Sequence, residues 1–586
     1  MKLRTWHYAV IFFLAQSFSR ALPAADDTAD PVAALLELAK SSAPDMTKIK
    51  TNYLKLQWLR LTGKSPLPTQ RARAVDDDSD EEYRVNGSKP LSEEEIAKLS
   101  KWFDASPKLR ERFLLAVNSR EDDLPDCARV AMKLRDAFPK DCEPLENLML
   151  AFATVWDNES LLKAVNTHHI PEYRSAPYKH CALEDSFGWF VKNQQKLCPW
   201  FKQTPWRLLT YVATDNMEIS EREWVFNKYT FKPTLGTTYS EIVYDYDKLN
   251  DMKGKLAGKE YNLANLKQFG GVCRDQAYFA REVCRAYGMP AYFASGQSNS
   301  EGLHAWVGWI IRDAQGFKLM SHGRYEYDKY FTAKIIDPKS GKMILDYLVG
   351  IEAKALSDEK GYDDADLLYR VFEEVKKDLT AKQQVDLLIS ALKKNAFHRA
   401  AWLEVGDATA NGALSQASAA GQWEYLNKNF KEFPDFSYSM LAKFSKVFKT
   451  PLEKYNFYET SSKIFVGLQR QDLVANLRIE EINMLIAENR KDLAAQAAMA
   501  GTTECAGEGA NGALIAKRGV ELLREQKKQH LAIAPLQLAL SKMLKVRAKK
   551  VNPHWLSMSE LLRDIYKEMG DVKKADSVQA DIDRTK

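Results

Sequence analysis

Between about residues 200 and 350 the pattern of this chain changes, and the change limits the folds open to it. Helical periodicity gives way to shorter runs punctuated by Pro and Gly. β-Branched and aromatic residues cluster in Tyr239–Tyr246, Ala291–Ala294, Leu303–Ile311 and Tyr330–Ile336. One strong helix, Arg274–Tyr287, lies among them and stops at Gly288 before Met289-Pro290. A helix followed by alternating strands predicts an α+β central domain with an antiparallel sheet. At 586 residues the chain exceeds what one core usually serves, so two to four domains are expected.

The flanks read as helices. Asp30-Pro31 supplies an N-cap and a first helical residue, and Val32, Leu35, Leu36 and Ala39 fall on one face. Ser92-Glu93-Glu94-Glu95 is a capping box, and helical patterns continue through Lys108–Val117, Cys127–Phe138 and Leu145–Val155. Between them, residues 64–91 carry Pro66, Pro68 and the acidic run from Asp76 to Glu82, a solvated linker without the spaced ligands of a calcium loop. Beyond about 355 the chain is helical again. Ala391-Leu392 with Ala400-Ala401-Trp402-Leu403, and Tyr566–Ala575 around Gly570-Asp571, resemble degenerate tetratricopeptide repeats, which implies a solenoid-like arm that binds a protein partner. Thr502–Gly512 reads as an interrupting loop and Ala408–Ala420 as a loosely packed helix.

At the N-terminus, Lys2 and Arg4 precede the apolar run Tyr8–Ala15, with small residues at Ala21, Ala24 and Ala25 before Asp26-Asp27. This order predicts an export signal over residues 1–24, hence a periplasmic or extracellular protein. The run is too short to span a bilayer, which takes about 20 apolar residues. The expected organisation is 1–24 signal, 25–91 helix and acidic linker, 92–200 helical region, 201–355 central domain and 356–586 helical region. Loss of Lys2, Arg4 and Arg20 with the signal lowers the formal charge from +5 to +2, so a nucleic-acid partner is not expected.

The cysteines are Cys127, Cys142, Cys181, Cys198, Cys273, Cys284 and Cys505. An odd number leaves at least one thiol free. Cys127–Cys142 and Cys181–Cys198 are possible local bridges in an exported chain, with buried free thiols as the other reading. No spacing is a tight Cys-x-x-Cys, and the adjacent His168-His169 point in different directions on any regular element, so no metal site is expected.

Chemistry concentrates at Cys273. Gly270-Gly271-Val272-Cys273 puts a thiol at a helix start, where unpaired N–H groups and the dipole favour an anion. A fall of two pKa units there corresponds to about 2.7 kcal/mol and would make the thiolate dominant at neutral pH. Cys284 lies roughly 16 Å further along the same helix, too far for a disulfide with Cys273, and reads as core. On the strand Leu303–Ile311, alternation places His304, Trp306, Gly308 and Ile310 on one face. Asp337 ends the run Phe331–Ile336 before Pro338. If the two strands are antiparallel neighbours, Asp337 can orient the His304 ring. His322 and Asp328 are alternatives for base and orienting acid, although Ser321-His322-Gly323-Arg324 reads as a turn.

Gly-Gly-Val-Cys before a helix, then His304-Ala305-Trp306 and Asp337-Pro338, resembles the core of the transglutaminase-like superfamily, as does Arg285-Ala286-Tyr287-Gly288-Met289-Pro290-Ala291 after the helix. The resemblance covers about residues 205–350. It implies a papain-like fold in which Cys273 is the nucleophile, His304 the general base and then acid, and Asp337 the orienting residue. By the same resemblance Gln268 is a candidate oxyanion donor beside the Cys273 N–H, and Trp306 a cleft wall. The implied activity is acyl transfer on amide bonds of a peptide or protein: a peptidase or amidase with water as acceptor, a cross-linking transferase with an amine. No cofactor is implied. The alternative is a non-catalytic scaffold whose helical arms bind a partner.

Overall fold

Local capping sets the first helices. Asp30 accepts the Val32 N–H at 2.9 Å and opens Pro31–Ala39, and Ser92 and Glu95 form a reciprocal capping box at the start of Glu93–Ala105. The structure is a computed structural model that describes residues 30–41, 43–69, 73–74, 82–83, 88–167, 181–215, 217–250, 253–298, 302–324, 333–506, 509–547 and 550–586. The expected signal, most of the acidic run, His168-His169, Asp328 and residues 330–332 of the fourth strand-like run lie outside the described residues. Among the described residues, no helix is long and apolar enough to cross a membrane.

The chain divides into two compact units, Met1–His398 and Arg399–Lys586. The first runs past 355, because the helices Glu359–Val375 and Ala381–Lys394 pack within it. Arg60 pairs with Glu374 through two hydrogen bonds of 2.9 and 2.8 Å, both side chains buried, and so joins Met46–Leu61 to Glu359–Val375. One continuous core runs from Phe103, Phe113, Phe152 and Phe187 on the early helices to Val307 and Trp309 on the sheet. Each buried Phe contributes about 1.5–3 kcal/mol by leaving water.

The sheet is antiparallel and five-stranded: β1 (Ala291–Ser298), β2 (Gly302–Asp313), β3 (Gly316–His322), β4 (Lys334–Ile336) and β5 (Met343–Leu345), ordered β3-β2-β1-β4-β5. The α+β expectation with helical flanks therefore holds at this level. Tyr239–Tyr246 is not a strand. Leu235–Glu241 forms a 3-10 helix that buries Leu235 and Tyr239, and Tyr244 makes only a single parallel bridge to Gly271. Alternation alone does not separate such a segment from a strand.

The helix Cys273–Ala286 packs on β1 and β2 and buries nearly every residue. It stops where Gly288 takes φ +71°, a conformation that a side chain resists.

In the second unit, successive helices pack on one another, and two turns repeat. Gln469 and Asn489 both sit at φ 58°, each followed by an Arg that pairs with the Asp two residues on, Arg470–Asp472 at 2.7 Å and Arg490–Asp492 at 2.8 Å. The Ala-rich stretch is two helices. Arg399–Ala410 ends before Gly412 at φ +80°, and Ser415 caps Gln416–Asn429. The expected loop at 502–512 is shorter: Lys491–Glu504 extends into it and Gly509–Glu525 follows.

A β-carbon at Gly288 would stand 2.5 Å from the Phe201 ring. Gly288→Ala is therefore expected to cost about 1–3 kcal/mol. Urea unfolding of the first unit checks this; an unchanged midpoint would contradict the account of the helix stop.

Candidate active site

The helix that begins at Cys273 is preceded by a tightly held loop. Gly270 takes φ +83°, and a side chain there would meet the Val243 carbonyl at 2.4 Å. The Gly271 N–H donates to that carbonyl at 3.0 Å, and the Asp245 N–H donates to the Gly271 carbonyl at 3.0 Å. Asp275, fully buried, secures the first turn. Its carboxylate accepts the Val272 N–H at 2.8 Å and the Tyr261 hydroxyl at 2.9 Å, with Lys248 Nζ at 3.1 Å. Cys273 is consequently fixed as the first residue of the helix.

All seven cysteines are free thiols, including both pairs considered as bridges. Six are buried, and Cys273 alone is partly exposed. Burial pushes the Cys142 thiol up to about 12 and Cys181 to about 11. Burial also raises Cys273, against the opposing pull of the Ala305 N–H on its sulfur, and the buried Asp275 carboxylate adds to the rise. A depressed thiol was the expectation from the helix start. Desolvation outweighs the helix terminus here.

Ala305 lies on β2 next to His304, so the sulfur and the imidazole are brought to the same strand end. His304 is buried, with its ring centroid 6.0 Å from that of Trp306. His304 Nε2 lies 2.7 Å from the Gly323 carbonyl oxygen. A carbonyl only accepts, so Nε2 carries the proton, and Nδ1 is the basic nitrogen of the neutral ring.

Asp337 is elsewhere. β1 stands between the His304 strand and β4, so the two expected neighbours are not adjacent. Asp337 closes the β4–β5 turn: its Oδ1 accepts N–H groups from Lys339 at 3.0 Å and Ser340 at 2.6 Å, and the Ser340 hydroxyl at 2.8 Å. The Gly323 carbonyl stands beside the His304 ring. Gln268 is exposed in the last turn of Leu263–Phe269. A second glutamine, Gln276, lies one turn after Cys273 and donates to the Ile242 carbonyl at 2.8 Å. Trp306 is buried beside His304 on β2 and overlaid by Arg324 at 5.3 Å.

A cavity of about 500 Å³ opens on the His304 side of the site, lined by Tyr239, Tyr244, Gln276, His304, Ser321, His322, Gly323 and Arg324, with Cys273 outside its lining. That volume is in the range of small-molecule sites. Sequence reasoning passed over Tyr239, Ser240, Asp275 and Gly323. Gly323 alone left a signal, since a glycine after a strand marks a backbone that departs from it, and it sits at φ +92°. Compared with known proteins, the chain matches no protein-family model and no curated relative.

Asp337→Ala is expected to cost about 1–3 kcal/mol through the lost turn bonds yet leave the rate of Cys273 alkylation within about two-fold, which is under 0.5 kcal/mol. Gly323→Ala, whose new β-carbon would stand 2.5 Å from the Tyr239 ring, is expected to slow it. A tenfold loss in Asp337→Ala would restore that residue to the site.

Proposed function

We propose that this is an exported, thiol-dependent acyl-transfer enzyme of transglutaminase-like type, acting on amide bonds of a peptide or protein. The observation that carries the reading is the meeting of a partly exposed Cys273, at a helix start, with the strand end that bears His304. In this mechanism the resting thiol is neutral. His304 Nδ1 takes the thiol proton as Sγ attacks the substrate carbonyl, so the raised thiol is deprotonated only in the reaction. The Gly323 carbonyl holds the ring while it becomes imidazolium.

The tetrahedral oxyanion would lie against the first-turn N–H groups, that of Cys273 among them. The C–N bond then breaks, the amine leaves with the proton from His304, and an acyl-thioester remains on Cys273. Water completes hydrolysis and an amine completes transfer. Hydrolysis is the simpler outcome.

The rival reading is a transglutaminase-like scaffold without activity, its helical regions binding a protein partner. It draws on the raised Cys273 thiol and on the absence of Asp337 from the His304 ring. Purified protein incubated with peptides and an amine donor, with masses read after acid quench, separates the two. The enzyme gives a cleaved, deamidated or amine-bearing product that Cys273→Ala abolishes and His304→Ala reduces by about a hundred-fold or more. No product and no acyl adduct would favour the scaffold.

A further inference from the structure

The cavity holds a second imidazole that the first half of the proposed reaction does not use. His322 is the last residue of β3, opposite Val307 of β2. Its Nε2 lies 2.7 Å from the Ser240 hydroxyl oxygen, and its ring meets Tyr239 edge-on at a centroid separation of 5.9 Å. Tyr239 in turn donates its hydroxyl to the Ala305 carbonyl at 3.0 Å, and the Ala305 N–H reaches the Cys273 sulfur. His322 and His304 line the same cavity.

We propose that His322, positioned by Ser240, is the base that activates the acyl acceptor. This rests on the acyl-transfer reading above and adds a second proton-transfer group to it. His304 is held by the Gly323 carbonyl and serves the thiol and the leaving amine. A water or amine entering through the cavity meets His322 from the side of β3.

In the acceptor step an acceptor lone pair forms the new bond to the thioester carbonyl carbon, and the acceptor proton passes to a ring nitrogen of His322. The C–S bond breaks as the intermediate collapses, and its electron pair returns to Cys273 Sγ, which takes a proton from solvent. His322 then releases its proton to solvent. Burial holds the His322 imidazole below the ordinary histidine value, so the basic form is present at neutral pH.

The test separates acylation from deacylation. Full-length protein is mixed with p-nitrophenyl acetate, nitrophenol release is followed, and the Cys273 adduct is weighed at timed intervals. Wild type is expected to give a burst of one equivalent and then steady release. His322→Gln is expected to retain the burst while acetyl-Cys273 persists and steady release falls by about a hundred-fold. Ser240→Ala is expected to slow the steady phase by a smaller factor, and imidazole added to His322→Gln to restore it in part.

Steady release at the wild-type rate in His322→Gln would overturn the assignment. Equal slowing of burst and steady phase, without rescue by imidazole, would mark a merely structural histidine and overturn it too. Should wild type itself form no Cys273 adduct, the acyl-transfer reading fails first and takes this one with it.

Discussion

Two main-chain groups of Ala305 hold the candidate site together. The β2–β3 ladder ends at Val307 opposite His322, two residues before Ala305 is reached. A buried main-chain group left without a partner costs about 1–3 kcal/mol, so the space beside Ala305 must be filled by something polar. Its carbonyl accepts the Tyr239 hydroxyl at 3.0 Å, and its N–H is directed to the sulfur of Cys273. Where β3 ends, the Gly323 carbonyl is released from strand pairing and takes the His304 Nε2 proton. The early end of one strand thus supplies the seat of the nucleophile, a cavity wall and the partner of the imidazole.

Burial raises the Cys273 thiol. This favours a neutral Cys273 thiol over a preformed thiolate. Asp275 adds to that rise, and its bonds to Val272, Tyr261 and Lys248 fix the helix start. On the proposed reading, the proton would move during attack, with no thiolate stored beforehand.

What could be read from the residues followed from local rules. Asp30 and Ser92 announced their helices because a cap is a contact within three residues. Gly288 announced the end of the Cys273 helix, and the alternation through His304-Ala305-Trp306 announced β2. The order of strands was not readable, because nothing in Asp337-Pro338 tells that β1 will lie between it and His304. Main-chain partners were equally hidden: Gly323 contributes a carbonyl, which every residue has, and only the fold says which one matters. The sign of the Cys273 shift was missed for the same reason, since burial is a property of the packed molecule.

The central claim is that Cys273 and His304 act as one unit at the end of β2. Its most direct measurement is the alkylation rate of each cysteine by iodoacetamide across pH 6–10, read by peptide mass, in wild type and in His304→Ala. The account predicts that Cys273 reacts far faster than the six buried thiols, that its rate climbs with pH as a raised thiol ionises, and that His304→Ala lowers it at neutral pH. Equal, slow labelling of all seven, or a Cys273 rate indifferent to His304, would contradict it.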